Sequence, residues 1–469
     1  MKKFNKDSYL KKLKLKRNWQ RFSKYFCVGI PCVLCLVLGI YFAYSKFFVS
    51  KEQSVVRTTV GDFIYGDVVI GAYIDGEYSS TIPGKNDGYV VENVACDNGA
   101  VGKWNNDKWG LLTTNLSKRT KCNVYFKKLV TKVPDIIAQL DTSGKCPSVN
   151  DDGSVNVTKV EDTNGYLCKA PDAYGDSYYY RGNVTNNYVK FADKYWRIVR
   201  INGDGTVRVI YDGTGAHANG ELSSDRQIGT SAFNSSSDDN AYVGYMYGQT
   251  GASTYAAAHA NTNDSTIKAY IDNWYNTNIV GTTNEQYLAD NVFCNDRSFA
   301  QNNSGTGTGT SETYYRWYNG PWESNGYNTK MKLTCPQKND AFTVSDTTNG
   351  NGALTYPVGL LSTDEIVLAG GWNVENSGYY LYSGQAWWAS PPDYFDSFGA
   401  DVRIVDSDGD ANNSLGGVDY ISADYGVRPV FNLKAEAIKY GDGTASNPYR
   451  LTENIKSNEG EGGETGGFE

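Results

Sequence analysis

The sequence predicts an α+β protein in three parts: an N-terminal transmembrane helix, a small all-β, sandwich-like stalk domain, and a larger mixed α+β domain. Three observations carry that expectation. An uncharged apolar stretch follows a basic leader, short β-type runs alternate with Gly, Asp, Asn and Pro clusters, and helical and strand periodicities occur together farther along the chain. Composition agrees, since 50 glycines and 37 tyrosines with a mean hydropathy of -0.50 describe a polar, turn-rich chain of short strands. At 469 residues the chain can build several domains, each with its own core.

The anchor is read from charge and length. Residues 1–24 hold ten Lys or Arg against one acid, Asp7, a net of +9, which leaves -17 on the rest of a chain whose total is -8. Tyr25 to Ser45 then runs 21 residues without a charge, through Val33, Leu34, Leu36, Val37, Leu38 and Ile40. At about 1.5 Å per residue that length crosses a hydrocarbon layer of roughly 30 Å. Basic flanks stay on the cytoplasmic side. The expected topology is therefore a single-pass protein of the cell membrane, with a cytoplasmic N-terminus and an extracellular C-terminal ectodomain. A cleaved signal peptide is the rival reading, for which Phe42, Ala43, Tyr44 and Ser45 make a poor cleavage site.

Outside that stretch there are six cysteines, an even set that reads as disulfides in an oxidising compartment. Pairing sequence neighbours joins Cys96 to Cys122, Cys146 to Cys168 and Cys294 to Cys335, though sequence alone leaves the connectivity open. A zinc site is the competing reading, with no CxxC and only His217 and His259 to serve it.

Residues 52–128 give the β runs Val68 to Ile74, Tyr89 to Cys96 and Cys122 to Phe126, the expected stalk, with Trp104 and Trp109 as either core or aromatic ligand contacts. Residues 129–154 read as a linker with one short helical possibility around Ile136 to Leu140, and the distal domain spans 155–452. Its clearest element is a hairpin in which Trp196, Ile198, Val207 and Val209 alternate with polar positions around the turn Asn202 to Gly205. Ile267, Ile271 and Trp274 stand at helical spacing behind an Asp264 or Ser265 cap, and a second helix starts near Ser362. Residues 300–330 read as a Gly- and Thr-rich surface loop, and β structure returns through "WWASPP", "ADVRIVDSDGD" and "YGVRPVFNL". Residues 453–469, rich in Gly and Glu, read as a disordered tail.

The order of "LLSTDE" (360–365), "WWASPP" (387–392) and "GVRPVF" (426–431), with "GDGTASNPYRL" after them, resembles a domain-of-unknown-function family of membrane-anchored bacterial surface proteins. That family is in turn similar in layout to the sulfatase-modifying-factor fold, a C-type-lectin-like arrangement closed by a "GFRP" type strand. Gly426, Val427, Arg428 and Pro429 match that strand. The resemblance implies a C-type-lectin-like distal domain, in a group that includes oxidases, carbohydrate binders and variable receptors. The copper-binding cysteine pair of formylglycine-generating enzymes has no counterpart, because no cysteine follows Cys335. Two histidines likewise cannot supply the three of the related iron oxygenases.

No nucleophile elbow, HExxH or phosphate-binding glycine loop occurs, so a binding protein is expected rather than an enzyme. The expected partner is an extracellular glycan or protein surface, and -17 on the outer part excludes nucleic acid. The candidate ligand-binding residues are Trp388, Asp393, Tyr394, Phe395, Asp396, Phe398, Arg403 and Asp424, where aromatic rings that stack on flat ligands lie among aspartates. Tyr394, Phe395 and Phe398 are placed in a loop. Asp406, Asp408 and Asp410 form a candidate calcium loop of hard oxygen ligands, against the plainer reading of an Asp-Gly turn; no other cofactor is expected. Arg428 reads as a buried arginine paired with a carboxylate. A structural component of the cell envelope, and an enzyme on a modified sulfatase-modifying-factor-like fold, remain the other two readings.

Overall fold

The computed structural model describes residues 14–16, 69–85, 87–105, 108–115, 120–157, 164–319, 330–372, 377–407 and 421–452. The apolar stretch 25–45, most of the basic leader and the tail 453–469 lie outside the described residues. Among the described residues no helix is long and apolar enough to cross a membrane. The longest has 13 residues. The expectation of a single-pass anchor, and of the localisation built on it, is corrected accordingly.

The α+β class is corrected as well. The protein is mostly β, with about 35% strand against 15% helix. The helical periodicities near Ile267 and Ser362 are real but local, and Gly-, Asn- and Tyr-rich sequence fills the space between them with short strands and turns. A mixed C-type-lectin-like domain is therefore not the architecture observed.

The chain forms two compact units that divide between Leu129 and Val130. The first contains β1 (Val69–Ile74), β2 (Glu77–Ser79), β3 (Tyr89–Cys96), β4 (Val101–Asn105), β5 (Gly110–Thr114) and β6 (Lys121–Lys128). Four of them make a sheet in the order β2-β1-β6-β3, with β1 and β6 parallel, and β4 pairs with β5 as a hairpin. Alternation along β6 buries Cys122, Val124 and Phe126 and turns Lys121, Asn123 and Tyr125 outward. Trp104 packs edge-on against Trp109 at 5.4 Å and Phe126 at 5.3 Å, so the tryptophan pair belongs to this core. A disulfide between Cys96 and Cys122 ties β3 to β6.

The second unit opens with α1 (Val133–Ile137), which has Pro134 in its first turn and buries Val133 and Ile136 in this unit's core. Residues read as a linker thus contribute to packing. There follow β7 (Gly165–Asp172), β8 (Gly175–Gly182), β9 (Tyr188–Phe191), β10 (Lys194–Ile201), β11 (Val207–Gly213), α2 (Thr266–Asn278), α3 (Thr363–Ala369), β12 (Trp387–Asp396), β13 (Gly399–Val405) and β14 (Val430–Leu433). The main sheet runs from Val358–Gly359 through β14-β11-β10-β8-β7, and β9 pairs with β10 and with Tyr449–Arg450. The expected hairpin is β10 and β11, whose Trp196 stacks on Phe431 of β14 at 4.7 Å.

Ser265 caps α2 by accepting from the Lys268 N–H, and Ile267, Ile271 and Tyr275 face inward. Ser362 and Glu365 form a reciprocal capping box at α3, whose residues are all buried. A second sheet joins Thr230–Ser231, Tyr425–Gly426, β12 and Thr313–Tyr314, with β13 on β12. Pro391 and Pro392 cannot donate to the ladder, and the β12–β13 register slips on either side of Pro392. The disulfides Cys146–Cys168 and Cys294–Cys335 complete the expected three pairs.

Candidate functional site

β12 is buried on both faces from Trp387 to Asp393, and only its last three residues alternate between inside and outside. Trp388, Asp393, Phe395 and Arg403 are consequently interior. The Trp388 indole N–H donates to the Ser231 carbonyl at 2.8 Å, between Phe233 and Tyr425. Arg403 donates to Asp393 at 2.7 Å and to the Trp317 carbonyl at 2.6 Å. These four candidates are buried and pack within the sheet layer. Tyr394 and Phe395 are strand residues, which corrects their placement in a loop.

The remaining candidates reach the surface. Tyr394 and Asp396 are half-exposed, Asp424 is exposed, and Phe398 in the β12–β13 turn is 70% exposed. Asp396 accepts from the Phe398 N–H, which fixes the turn. Tyr394 lies opposite Tyr314 across the edge of the sheet, and Tyr318 follows one turn later. The ring centroids of Tyr314 and Tyr318 are 4.1 Å apart, and those of Tyr318 and Tyr394 5.6 Å. Tyr318 is 36% exposed, and the Tyr314 hydroxyl donates to the Glu312 carboxylate. This edge is a face of three adjoining tyrosines with carboxylates at its margin. Tyr314 and Tyr318 were not among the sequence candidates. The readable signal is the "TYY" strand, in which Tyr314 turns out while Thr313 and Tyr315 are buried.

Next to this face Arg403 pairs with Asp393, and Asp401 lies within the field of both charges. Burial first, then the Asp393 charge, push the Asp401 carboxyl well above the usual carboxylate range, while Arg403, and the hydroxyl of Tyr394 bonded to it, pull the other way. Asp401 is 8% exposed. Its carboxyl accepts from the Tyr394 hydroxyl.

Elsewhere two buried carboxylates each gather arginines. Asp212 receives Arg226 at 2.9 Å and Arg428 at 2.8 Å, with Arg197 at 3.8 Å, and all four side chains are inaccessible. Arg428 is thus a buried structural arginine. Glu365 joins Arg200 at 3.0 Å and Arg208 at 3.1 Å, and Arg200 also meets Asp172. Among the described residues no group of three His, Cys, Asp or Glu could hold a metal ion. Of the candidate calcium ligands, Asp406 accepts from the Ser407 backbone and hydroxyl, and Asp408 and Asp410 lie outside the described residues.

No family model, curated protein or solved structure matches this chain.

Proposed function

We propose that the protein is a carbohydrate-binding protein whose recognition face is the tyrosine edge of Tyr314, Tyr318 and Tyr394. The observation that supports this is the meeting of three partly exposed rings on one sheet edge, with the Tyr394 hydroxyl bonded to Asp401 and with Glu312 and Asp396 at the border. A sugar ring has an apolar C–H face that packs on tyrosine, and a rim of hydroxyls that donate to carboxylates. Tyrosine suits the task because its rigid side chain loses little freedom on binding.

The test applies the purified chain to a glycan array beside Tyr318→Ala and Tyr394→Ala. Wild type should give signal on at least one glycan class, and each truncation should weaken it about tenfold or more. An unchanged near-ultraviolet spectrum shows that the fold is kept. A wild-type chain that captures no glycan, or capture indifferent to both substitutions, defeats the proposal.

A further inference from the structure

The tyrosine edge carries a second pair of side chains that the fold itself does not call for. Thr313 lies opposite Phe395 and Tyr314 opposite Tyr394 on antiparallel strands. One residue farther along that register, Glu312 faces Asp396. Thr313 and Phe395 are buried, so alternation puts Glu312, Tyr314, Tyr394 and Asp396 together on the outer face. Two acids thus stand across from each other, one step from two tyrosines that do the same.

Like charges at opposed positions of a strand pair destabilise it. No cation answers this pair from within. The arginines nearest to them along the chain are committed to other carboxylates, Arg316 to Asp296 and Asp364, and Arg403 to Asp393. Each acid spends one oxygen locally: Glu312 Oε1 accepts from the Tyr314 hydroxyl, and Asp396 Oδ1 from the Phe398 N–H. Among the described residues the second oxygens, Oε2 and Oδ2, accept no hydrogen bond and join no ion pair. Glu312 is exposed and Asp396 half-exposed, so both are open to a ligand.

We infer that the sugar taken by this edge is an amino sugar with a free ammonium group, a hexosamine residue without an N-acetyl cap, its cation seated by Glu312 and Asp396 and its ring laid on the tyrosines. This rests on the reading of the edge as a sugar-binding face. An ammonium between opposed carboxylates removes their repulsion, whereas a neutral sugar would leave it in place and cover both charges. The tyrosines act in the same direction, because the face of an aromatic ring attracts a cation within about 6 Å of its centroid. Sugars that carry carboxylates would meet charge of their own sign. A metal ion is the wrong cation, since calcium takes roughly six to eight oxygen ligands and two acids cannot supply them.

The test is calorimetric titration of the full chain with two tetramers of the same linkage, one of glucosamine and one of N-acetylglucosamine. It compares wild type, Glu312→Gln and the double variant Glu312→Gln/Asp396→Asn. Both substitutions keep an oxygen for the Tyr314 hydroxyl and the Phe398 N–H. Wild type should hold the glucosamine tetramer about tenfold more tightly than the acetylated one. The double variant should bind the two alike, with a thermal midpoint equal to or above that of wild type because the repulsion is gone. Glu312→Gln alone should lessen the preference, and it keeps the test open if the double variant fails to fold. General attraction of a cationic chain to an acidic protein would survive these substitutions, so a preference that persists in the double variant overturns the inference. So does a wild type that leaves the glucosamine tetramer unbound or binds both tetramers equally, or one that binds choline, a cation without a sugar ring, as tightly as the glucosamine tetramer. In each of those cases a glycan captured on the array and weakened by Tyr318→Ala would leave the edge standing as a sugar site. Capture of no glycan at all would remove both.

Discussion

His259 gives a pH dependence that can be worked from its surroundings. The ring is buried, with Nε2 2.9 Å from the Gly307 carbonyl and Nδ1 3.3 Å from an Arg297 guanidinium nitrogen. The only tautomer that satisfies both is neutral, with Nε2–H donating to Gly307 and Nδ1 accepting from Arg297. Burial first, and then the Arg297 charge, pull its pKa from 6.5 to about 3. Between those values the unfolded chain binds a proton that the folded chain refuses, so this contribution to stability is whole above pH 6.5 and is lost as pH falls. At about pH 5 the loss is roughly 2 kcal/mol relative to neutrality. His217 titrates in the opposite sense: burial opposes the charge, but Glu221 at 2.8 Å and Asp225 at 2.7 Å outweigh it and raise the pKa. Its contribution is whole below 6.5 and is lost as pH rises through the raised value, so the two windows do not overlap. Urea unfolding of wild type and His259→Gln at about pH 5 and 7.5 separates them. The variant should lose about 2 kcal/mol less than wild type over that interval. Parallel curves would mean that His259 is charged in the fold, and the neutral-tautomer reasoning would be wrong.

Two further perturbations test the buried charges. Asp212→Asn leaves Arg197, Arg226 and Arg428 without their shared carboxylate and should cost about 3–5 kcal/mol, read from the urea midpoint; a loss under about 1 kcal/mol would show that the backbone carbonyls suffice. Asp401→Asn should raise stability at neutral pH. The carboxyl of Asp401 has a raised folded pKa, so its contribution is present below 3.8 and is lost as pH rises, whereas the amide stays neutral throughout. An urea midpoint at pH 7.5 equal to or below that of wild type would contradict the raised value.

What the sequence disclosed follows from the range of the signals. Asn202 to Gly205 announces the β10–β11 turn, Ser265 and Ser362 announce the two helix starts, and the six cysteines pair as sequence neighbours. Each of these is a local interaction. The ligand candidates around β12 were harder because period-two reasoning assumes one wet face, and β12 has none until Tyr394. Trp388 and Phe395 looked like ligand contacts for the same reason that they make good core. Tyr314 and Tyr318 join Tyr394 only through a pairing of Thr313–Tyr314 with β12 eighty residues later, which no local pattern encodes.

The same distinction explains why so many arginines are buried. Short strands and long connections leave carbonyls in the interior without ladder partners, and each such group is costly if unpaired. Guanidinium groups fill the gaps. Arg181 donates to the Val367 and Leu368 carbonyls in the last turn of α3, Arg197 to Val184, Arg226 to Glu221, Arg403 to Trp317, and Arg428 to Tyr211 and Leu381. A planar fork of five donors can serve a carboxylate and one or two loop carbonyls at once, which a lysine ammonium cannot do with fixed geometry. These arginines act as cross-links between strands and the carbonyls of the connecting loops. The tyrosine edge adjoins such a cross-link, since Arg403 joins Asp393 of β12 to the carbonyl of Trp317, the residue before Tyr318. The buried charge of Arg403 therefore ties β12 to the segment that carries Tyr318.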